Sequence, residues 1–385
     1  MTTSAAAADG QRLRQADRQA NTAATVLSLT LPGDVLLYVL LPLHAGAFGV
    51  SLPEAGVLLA ANRLVRILGY GWIARYFVRN GPRRTCTLAT IGAGLSTLGY
   101  GLLSGLWALL VARLMWGLSF AAMNISTQVL ATSEPVAAAR RSGRSRAIVS
   151  IGPMVALLAG AGLSEIVAPQ SVFLLLGAIA FVALAFTPRL AGRTPTVLAR
   201  RPRLALPTRL DMWSFVQGLT LDGLFVIGLA VLASSALPDG AALATGAALA
   251  LRYLTEMLLS PVGGAAAERW GPARMLVVIS LGCASGLVLV GCGALWLGAL
   301  TVVVMRGALQ PLAAPVVALR YRGSARVGAI ASVATWRDLG AGVGPLIAGA
   351  LIPAMPAWAL YGAAALMLGA AAGAVGTERG SRSRP

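Results

Sequence analysis

Histidine, cysteine, lysine and charge of either sign are all scarce in this chain of 385 residues. There is one histidine, His44, and there are three cysteines with no CxxC spacing between them. A single histidine argues against a histidine-based metal site and against a Ser-His-Asp hydrolase. The cysteines are expected to be small, buried apolar residues and not ligands or disulfide partners. The sequence therefore predicts no metal ion and no cofactor, and an enzyme is not expected.

Charged residues make up only 11% of the chain, whereas about 25% is usual in soluble domains. Hydrophobic residues make up 57%, and the mean hydropathy is +0.77. Apolar runs of roughly 20 residues recur along the chain, and each is long enough to cross a bilayer as a helix. These features predict an all-α integral membrane protein. The net charge of +18 resides in short loops between apolar runs, so nucleic acid is not an expected partner.

Twelve membrane-spanning helices are predicted from the apolar runs. They lie near residues 22–43, 54–78, 85–104, 107–131, 146–167, 170–187, 211–236, 240–265, 273–292, 294–318, 326–350 and 354–376. The predicted organisation is an N-terminal tail at 1–21, a six-helix bundle at 22–187, a linker at 188–210, a second six-helix bundle at 211–376 and a tail at 377–385.

The two predicted bundles repeat each other at an offset of 190 residues. The matches are Leu29–Gly33 with Leu219–Gly223, Arg79–Arg84 with Arg269–Arg274, and Met115–Gly117 with Met305–Gly307. One shift that aligns three distant pairs indicates two halves of the same sense, a parallel pseudo-twofold repeat. Membrane proteins built in this way commonly carry their site at the midplane, between the halves.

Arginine distribution predicts the orientation in the membrane. All 31 basic residues are arginine, and 25 of them lie in the two tails, the linker or alternate loops. The intervening loops carry none. By the positive-inside rule both termini and the linker face the cytoplasm, and the expected location is a bacterial inner membrane.

Ten ionisable residues lie inside the predicted spans. They are Arg63, Arg66, Arg113, Arg252, Arg306, Arg337, Asp34, Asp222, Glu256 and Asp338. Each would cost roughly 2.5–3.5 kcal/mol at the centre of a lipid-exposed helix. We therefore expect them to face a water-filled cavity or each other.

Spacing suggests a role for several of the arginines. Arg63 and Arg66 share a helix face and could clamp an anion, or could pair with acids from another helix. Arg252 and Glu256 are four residues apart and can pair locally. Arg337 and Asp338 are adjacent, so they point about 100° apart and are expected to find different partners.

The acids and aromatic residues of the same layer suggest coupling and substrate contact. Asp34 and Asp222 lie at nearly matching depth in the two halves, and a carboxylate in a low-dielectric wall can exchange protons near neutral pH. Simple charge pairing is the alternative. Tyr38, Trp116 and Trp336 could stack on a substrate, or could only pack.

Motifs at five places resemble those of the major facilitator superfamily of secondary transporters, and the resemblance covers nearly the whole chain. The loop signature of that family matches Gly264, Glu268, Arg269, Gly271 and Arg274 in the second half. The first half keeps Arg79 and Gly81, with Ala74 and Val78 in place of the glycine and the acid. The resemblance implies that these residues take part in gating and that the second copy contributes more to gating than the first.

Three further motifs belong to the same resemblance. Arg113 and Gly117 match a spacing of the fourth helix, which in proton-coupled members is implicated in coupling. Gly152-Pro153 and Gly344-Pro345 match the glycine-proline motif of the exporters, where small residues allow close packing and bending. The resemblance thus implies gating by these glycine-proline pairs and favours export.

Together these patterns predict a proton-coupled transporter that exports a small anionic or zwitterionic organic solute by alternating access. The predicted substrate-binding residues are Arg63, Arg66, Arg252, Arg306, Arg337, Tyr38, Trp116 and Trp336. The predicted coupling residues are Asp34, Asp222, Arg113, Glu256 and Asp338. The alternatives are an importer of organic anions or sugars and a multidrug efflux pump. A membrane enzyme and a non-transporting sensor are less favoured. Besides the solute, the expected partners are protons and the bilayer, and a monomer is expected.

Overall fold

The computed structural model describes residues 2–160, 163, 166–192, 206–229 and 241–377, with the side chains of 2–6 and 241–249 excepted. Throughout this part the regular structure is helical. The α-helices are α1 (Thr2–Thr30), α2 (Pro32–Leu43), α3 (Leu52–Leu102), α4 (Leu106–Ala131), α5 (Ala138–Val155), α6 (Pro169–Val182), α7 (Arg209–Gln217), α8 (Ala241–Trp270), α9 (Pro272–Gly291), α10 (Leu295–Leu309), α11 (Ala313–Arg320), α12 (Gly323–Leu351) and α13 (Ala357–Gly376). Short 3₁₀ turns occupy Ala45–Phe48, Ala183–Ala185 and Thr187–Arg189, and π-helical turns occupy Ala156–Gly160 and Gly218–Leu224.

Eight helical segments in the described part of the chain are long and apolar enough to cross a membrane. They are Ala7–Leu43, Leu52–Leu102, Leu106–Ala131, Pro169–Arg189, Arg209–Leu229, Pro272–Gly291, Leu295–Arg320 and Ala357–Gly376. The segment Leu52–Leu102 contains 51 residues and so has the length of two predicted spans. The predicted end of the seventh span, at 236, lies outside the described residues, as does most of the predicted linker and C-terminal tail.

Two tight junctions without loops join consecutive helices at equivalent places of the sequence repeat. Gly81 interrupts α3 with a φ of 79°, and Pro82 follows it; Gly271 joins α8 to α9 with a φ of 92°, and Pro272 is the first residue of α9. A positive φ is accessible to glycine at little cost, and proline is well suited to the first turn of a helix. The Gly-Pro pair therefore ends one helix and starts the next without an intervening loop.

Helix boundaries differ from the predicted spans in three places. Residues 2–21, predicted as a tail, continue the first helix because Ala-rich sequence favours it. The helix that was expected to start near 146 begins at Ala138, so the arginines at 140–146 lie on α5 and not in a loop. The predicted span 294–318 is broken after Leu309, where Pro311 cannot continue the hydrogen-bond ladder.

Packing places α5, α8, α3 and α12 where the first and second halves of the chain meet. Within the first half α3 packs on α4 and α6, and within the second half α9 packs on α10 and α13. The contacts between halves are mainly those of α5 with α8 and of α3 with α12. The functional residues therefore have to be sought between these four helices.

Glycines allow the closest of these helix contacts. A Cβ added to Gly143 of α5 would lie 2.4 Å from the carbonyl oxygen of Ser260, and one added to Gly264 of α8 would lie 2.5 Å from that of Ala139. Both contacts join the halves near the arginine-rich ends of the helices, which we define as the ends that carry Arg75–Arg84, Arg140–Arg146, Arg269–Arg274 and Arg320–Arg326. The two halves are thus in backbone contact at the arginine-rich end.

The predicted glycine-proline motifs make close contacts inside each half. A Cβ on Gly152 would lie 1.9 Å from the carbonyl oxygen of Ser28, so α5 packs tightly on α1. A Cβ on Gly344 would lie 2.7 Å from the Cα of Gly223, so α12 packs equally tightly on the π-helical turn that follows α7. Pro153 and Pro345 lie inside α5 and α12, next to these contacts.

Candidate substrate cavity

A cavity of about 370 Å³ lies between the two halves of the chain, and both halves line it. Its charged lining residues are Asp34, Arg63, Arg66, Arg146, Asp222, Arg252, Glu256, Arg337 and Asp338. Ligand sites for small molecules commonly have volumes of about 300–1,000 Å³. The cavity therefore has the size of a small-solute site.

In the first half, Asp34 of α2 forms a buried ion pair with Arg113 of α4. The Arg113 side chain is fully buried, and its Nε also donates to the carbonyl oxygen of Leu58 at 3.2 Å. Asn62 donates to the same Asp34 oxygen at 3.0 Å. Arg113 lies over the ring of Tyr38, with 5.2 Å between the guanidinium carbon and the ring centre. Asp34 thus lines the cavity, and Arg113 forms its ion pair with Asp34 from outside the cavity lining.

In the second half, Asp222 and Glu256 share a cluster of three arginines. Arg306 contacts one oxygen of each acid at 2.5 Å and is almost fully buried. Arg252 lies 3.5 Å from Glu256 and 3.7 Å from Asp222. Arg337 donates to the other Asp222 oxygen at 3.0 Å. The predicted local pair of Arg252 with Glu256 is therefore present, but as one contact of a larger network.

Asp338 of α12 bridges the two halves. It accepts a hydrogen bond from Arg66 at 3.2 Å and one from the Tyr70 hydroxyl at 3.0 Å, and both partners lie on α3. Arg63 donates to the carbonyl oxygen of Ala341 on α12. Arg66 thus pairs with an acid of another helix, which was the predicted alternative to an anion clamp, whereas Arg63 contacts a backbone carbonyl of that helix. Arg337 and Asp338 have different partners, as their adjacency predicted.

Charge around the cavity is unbalanced in favour of arginine. Five arginines line the cavity, Arg113 and Arg306 lie behind it, and four carboxylates face these seven groups. Arg146, at the first residue of the predicted fifth span, was counted with the loop arginines, but α5 begins at Ala138 and Arg146 lines the cavity. Its partner there is the Gln310 side-chain oxygen at 3.1 Å, and within the described residues it forms no ion pair. If all four acids are ionised, the excess is three positive charges.

Buried amides are the other site residues that sequence reasoning missed. Asn62 holds Asp34, Gln217 donates to Asp222 at 3.3 Å, and Gln128 donates to Asn124 at 3.1 Å. The signal for them was present, because amide side chains inside apolar spans are costly and need partners. Only the ionisable residues of the spans had been considered.

The three predicted aromatic residues have different environments. Tyr38 lines the cavity and its hydroxyl donates to the Leu59 carbonyl at 3.5 Å. Trp116 is fully buried outside the cavity lining, and its indole nitrogen has no hydrogen-bond partner. Trp336 packs edge-on against Phe215 at 6.2 Å. Phe120, not predicted, lines the cavity beneath Arg66, whose guanidinium carbon is 4.7 Å from the ring centre.

The predicted gating residues of the two loop signatures lie at the arginine-rich end, whereas the glycine-proline pairs lie within each half. A Glu268 oxygen accepts a 2.9 Å hydrogen bond from the backbone N–H of Ala137, immediately before α5. Arg326 of α12 donates to the carbonyl oxygens of Thr132 and Ser133, immediately after α4. Arg269 lies over the ring of Trp270, and the side chains of Arg79 and Arg274 are exposed. Two helix ends of the first half are therefore capped by side chains from the second half.

Comparisons with known proteins identify the class to which this fold and cavity belong. A sequence profile of the Major Facilitator Superfamily matches residues 23–238. The chain belongs to this superfamily of membrane transporters. No curated protein sequence matches it.

Solved structures share the fold at low sequence identity. The human organic anion transporter MFSD10 (TETRAN) is similar with a TM-score of 0.77 and 18% identity, over 94% of this chain and 99% of that one. A bacterial homologue of the iron transporter ferroportin, in an outward-facing state, has a TM-score of 0.74 and 14% identity, over 92% and 98%. The E. coli fucose:proton symporter FucP has a TM-score of 0.70 and 12% identity, over 92% and 97%.

Proposed function

We propose that this protein is a proton-coupled transporter that exports a small anionic or zwitterionic organic solute across a bacterial inner membrane. The proposed architecture is two six-helix bundles, with both termini and the arginine-rich end in the cytoplasm. Transport would proceed by alternating access of the cavity between the bundles. The solved structures with this fold include proteins described as an organic anion transporter and a proton symporter, and both descriptions are compatible with this proposal.

The excess of arginine around the cavity carries the proposal for the solute. Seven guanidinium groups and four carboxylates surround a volume of about 370 Å³. A net positive wall in a medium of low dielectric constant attracts an anion and repels a cation, because screening is weak there. A carboxylate solute would thus be preferred over a cationic drug. The proposed contacts of the solute are Arg63, Arg66, Arg252 and Arg337, together with Tyr38. Arg306 lies outside the cavity lining and adds to the positive charge around it.

The conformation supports alternating access with a closed cytoplasmic gate. Gly143 and Gly264 bring α5 and α8 into backbone contact at the arginine-rich end, and Glu268 and Arg326 cap helix ends across the halves. In the opposite state these contacts have to break. Coupling would use the acids, since protonation of Asp338 removes the charge that holds Arg66 across the halves. The other proposed coupling groups are Asp34, Asp222, Arg113 and Glu256.

Transport into inverted membrane vesicles tests the proposal. Purified protein is first screened by thermal shift against monocarboxylates, dicarboxylates, amino acids and cationic dyes, because a bound ligand stabilises by about 2.7 kcal/mol at a hundredfold excess over its Kd. The best ligand is then labelled, and its accumulation is driven by a pH gradient. We expect an organic acid to accumulate and Arg63→Gln to lower the rate at least about tenfold, since a hydrogen bond to a charged group contributes about 1.5–3 kcal/mol.

Arg75→Gln is the matched control, because Arg75 is exposed and lies outside the cavity. It should transport at the wild-type rate. Stabilisation by cationic dyes alone, or equal transport by the two glutamine variants, would refute an anion-selective cavity. Asp34→Asn should abolish accumulation driven by the pH gradient, and full accumulation in that variant would remove Asp34 from the coupling group.

A further inference from the structure

A second, smaller cavity of about 30 Å³ lies next to the first, toward the arginine-rich end. One face of α5 lines it with Ser142, Ser145 and Arg146, and Gln310 lines it from the second half. Both cavities are bordered by the same five residues, which are Asn124, Gln128, Arg146, Val149 and Gln310. The small cavity therefore adjoins the large one on the side of the arginine-rich end, and it too lies between the two halves.

Three of the polar groups that line this small cavity lack partners. The hydroxyls of Ser142 and Ser145 and the side-chain nitrogen of Gln310 are buried and form no hydrogen bond. A buried serine on a helix normally donates to the carbonyl oxygen four residues earlier, as Ser126 does on α4 at 2.7 Å. An unmade hydrogen bond in a buried position costs about 1–3 kcal/mol per group. Three such groups around one small space point to a ligand there.

The chemistry of these groups selects an anion. The Gln310 oxygen accepts from Arg146, so only the NH₂ donor of the amide remains. Arg146 has donors alone, and the two hydroxyls can each donate. Within the described part of the chain no acidic residue lines this cavity. The unpartnered groups can thus all donate, Arg146 adds one positive charge, and no carboxylate among the described lining residues opposes an anion.

Size limits the ligand to a single small group. A cavity needs about 10–15 Å³ of this kind of volume for each water molecule. About 30 Å³ therefore admits one halide-sized ion or one carboxylate head, and not a whole organic solute. We propose that Ser142, Ser145, Arg146 and Gln310 form a binding site for one small anionic group below the main cavity.

Such a site would favour one conformation of the protein. Arg146 and the serines belong to the first half and Gln310 to the second, so the donors converge only while the halves are closed at the arginine-rich end. An anion bound there would stabilise the closed gate, by the rule that a ligand shifts an equilibrium toward the state it binds better. The anion could be a free inorganic ion, or the carboxylate of a solute that extends down from the main cavity.

Thermal unfolding of the purified full-length protein in chloride tests the site. Sodium chloride replaces sodium gluconate at constant ionic strength, so that general screening is unchanged. We expect a saturable rise in Tm for the wild type. Ser145→Ala should shift the half-saturating chloride concentration upward about tenfold or more, which corresponds to the loss of one hydrogen bond to an ion. Arg146→Gln should abolish the effect.

Two further comparisons complete the design. Ser126→Ala is the matched control, because Ser126 is a buried helical serine that already has a partner and borders neither cavity. It should respond to chloride like the wild type. Ser145→Ala should also unfold at the wild-type Tm or above it in gluconate, since the removed hydroxyl has no partner. A serine with a purely structural role would instead lower the Tm and leave the response to chloride unchanged.

A second arm distinguishes the two sources of the anion, and this arm alone rests on the proposed function. Acetate is titrated in the same way as chloride. A chloride response that is lost in the variants identifies a free inorganic anion. A response to acetate alone, lost in the same variants, identifies a solute carboxylate. If neither ion gives a saturable shift, or if the variants respond like Ser126→Ala, the proposal is wrong. Failure of organic-acid transport would leave a chloride result intact.

Discussion

Each carboxylate around the main cavity has at least one arginine within ion-pair distance. The side chains of Arg113 and Asp34 keep 0% and 9% of their exposure, and those of Arg66 and Asp338 keep 9% and 15%, so the charge that each acid balances is more deeply buried in the first pair. Taking a charge out of water is expensive, and the loss of one partner leaves the other charge uncompensated. The cost of that loss should therefore follow burial, even though the two pairs contain the same residue types.

Stability measurements on two asparagine variants test this expectation. Asp34→Asn leaves the fully buried Arg113 without an ionic partner and should destabilise the protein by about 3–5 kcal/mol, the usual cost of breaking a buried ion pair. Asp338→Asn leaves Arg66 close to the water of the cavity and should cost clearly less. The Tm values in one detergent supply the comparison. A larger loss for Asp338→Asn would contradict the ranking by burial.

The residue types of the site were predictable, but their partners were mostly not. Arg252 and Glu256 are neighbours on one helix, so spacing alone predicts their contact. Asp34 and Arg113 are 79 residues apart, and Asp338 and Arg66 are 272 apart. Such pairs depend on which helices become neighbours, and hydropathy carries no information about that. Arg146 was missed because its position depends on where α5 begins.

At the level of helices, α5 and α8 form the contact that closes the arginine-rich end. Gly143 and Gly264 are the small residues that allow it, and small residues are the usual means by which membrane helices approach closely. The acceptors are backbone carbonyl oxygens, which cannot rotate away as a long side chain can. Added volume at either glycine must therefore separate the helices.

Gly264→Ala tests whether this contact holds the closed gate. The new Cβ would lie 2.5 Å from the Ala139 carbonyl oxygen, so the arginine-rich ends of α5 and α8 should move apart. Spin labels at Arg144 and Arg269, both exposed, would report a longer distance by pulsed electron resonance. Gly71→Ala is the control, because its Cβ meets nothing within 4 Å. An unchanged distance in Gly264→Ala would mean that the contact does not hold the gate.

Helix positions followed closely from the apolar runs, but helix ends did not. Both Gly-Pro junctions fall where the sequence repeat places them, because a left-handed glycine followed by proline is a strong local signal. The ends of α1 and α5 were misplaced, because arginine and alanine favour a helix in water as they do in a membrane. Positive charge therefore did not identify these segments as loops, and the side of the membrane that it indicates stays a prediction.

For the whole molecule, ion pairs within each half differ in role from those between halves. Asp34 with Arg113, and Asp222 with Arg306, join helices of the same half, so they can persist while the halves move. The pair of Asp338 with Arg66 joins the two halves directly. Rigid halves with a breakable connection are what alternating access requires.

Labelling of the native Cys292 tests the proposed orientation. Cys86 and Cys283 are buried as expected, but the expectation is wrong for Cys292, which is exposed because it follows the end of α9 opposite the arginine-rich end. A maleimide that cannot cross membranes should therefore label Cys292 in cells with a permeabilised outer membrane but an intact inner one. Cys292→Ser should remain unlabelled. Reaction in inverted vesicles alone would reverse the orientation and place the arginines outside.

The unbroken first helix has a practical consequence. Alpha-helices rise by about 1.5 Å per residue, so the 29 residues of α1 measure about 43 Å, more than the hydrocarbon thickness of a bilayer. Asp17 lies 3.1 Å from Arg144 and so connects α1 to the start of α5. A tilt of the first half would displace the amino terminus further than residues near the axis of rotation. The amino terminus is therefore a suitable position for a fluorophore that follows the transport cycle in single molecules.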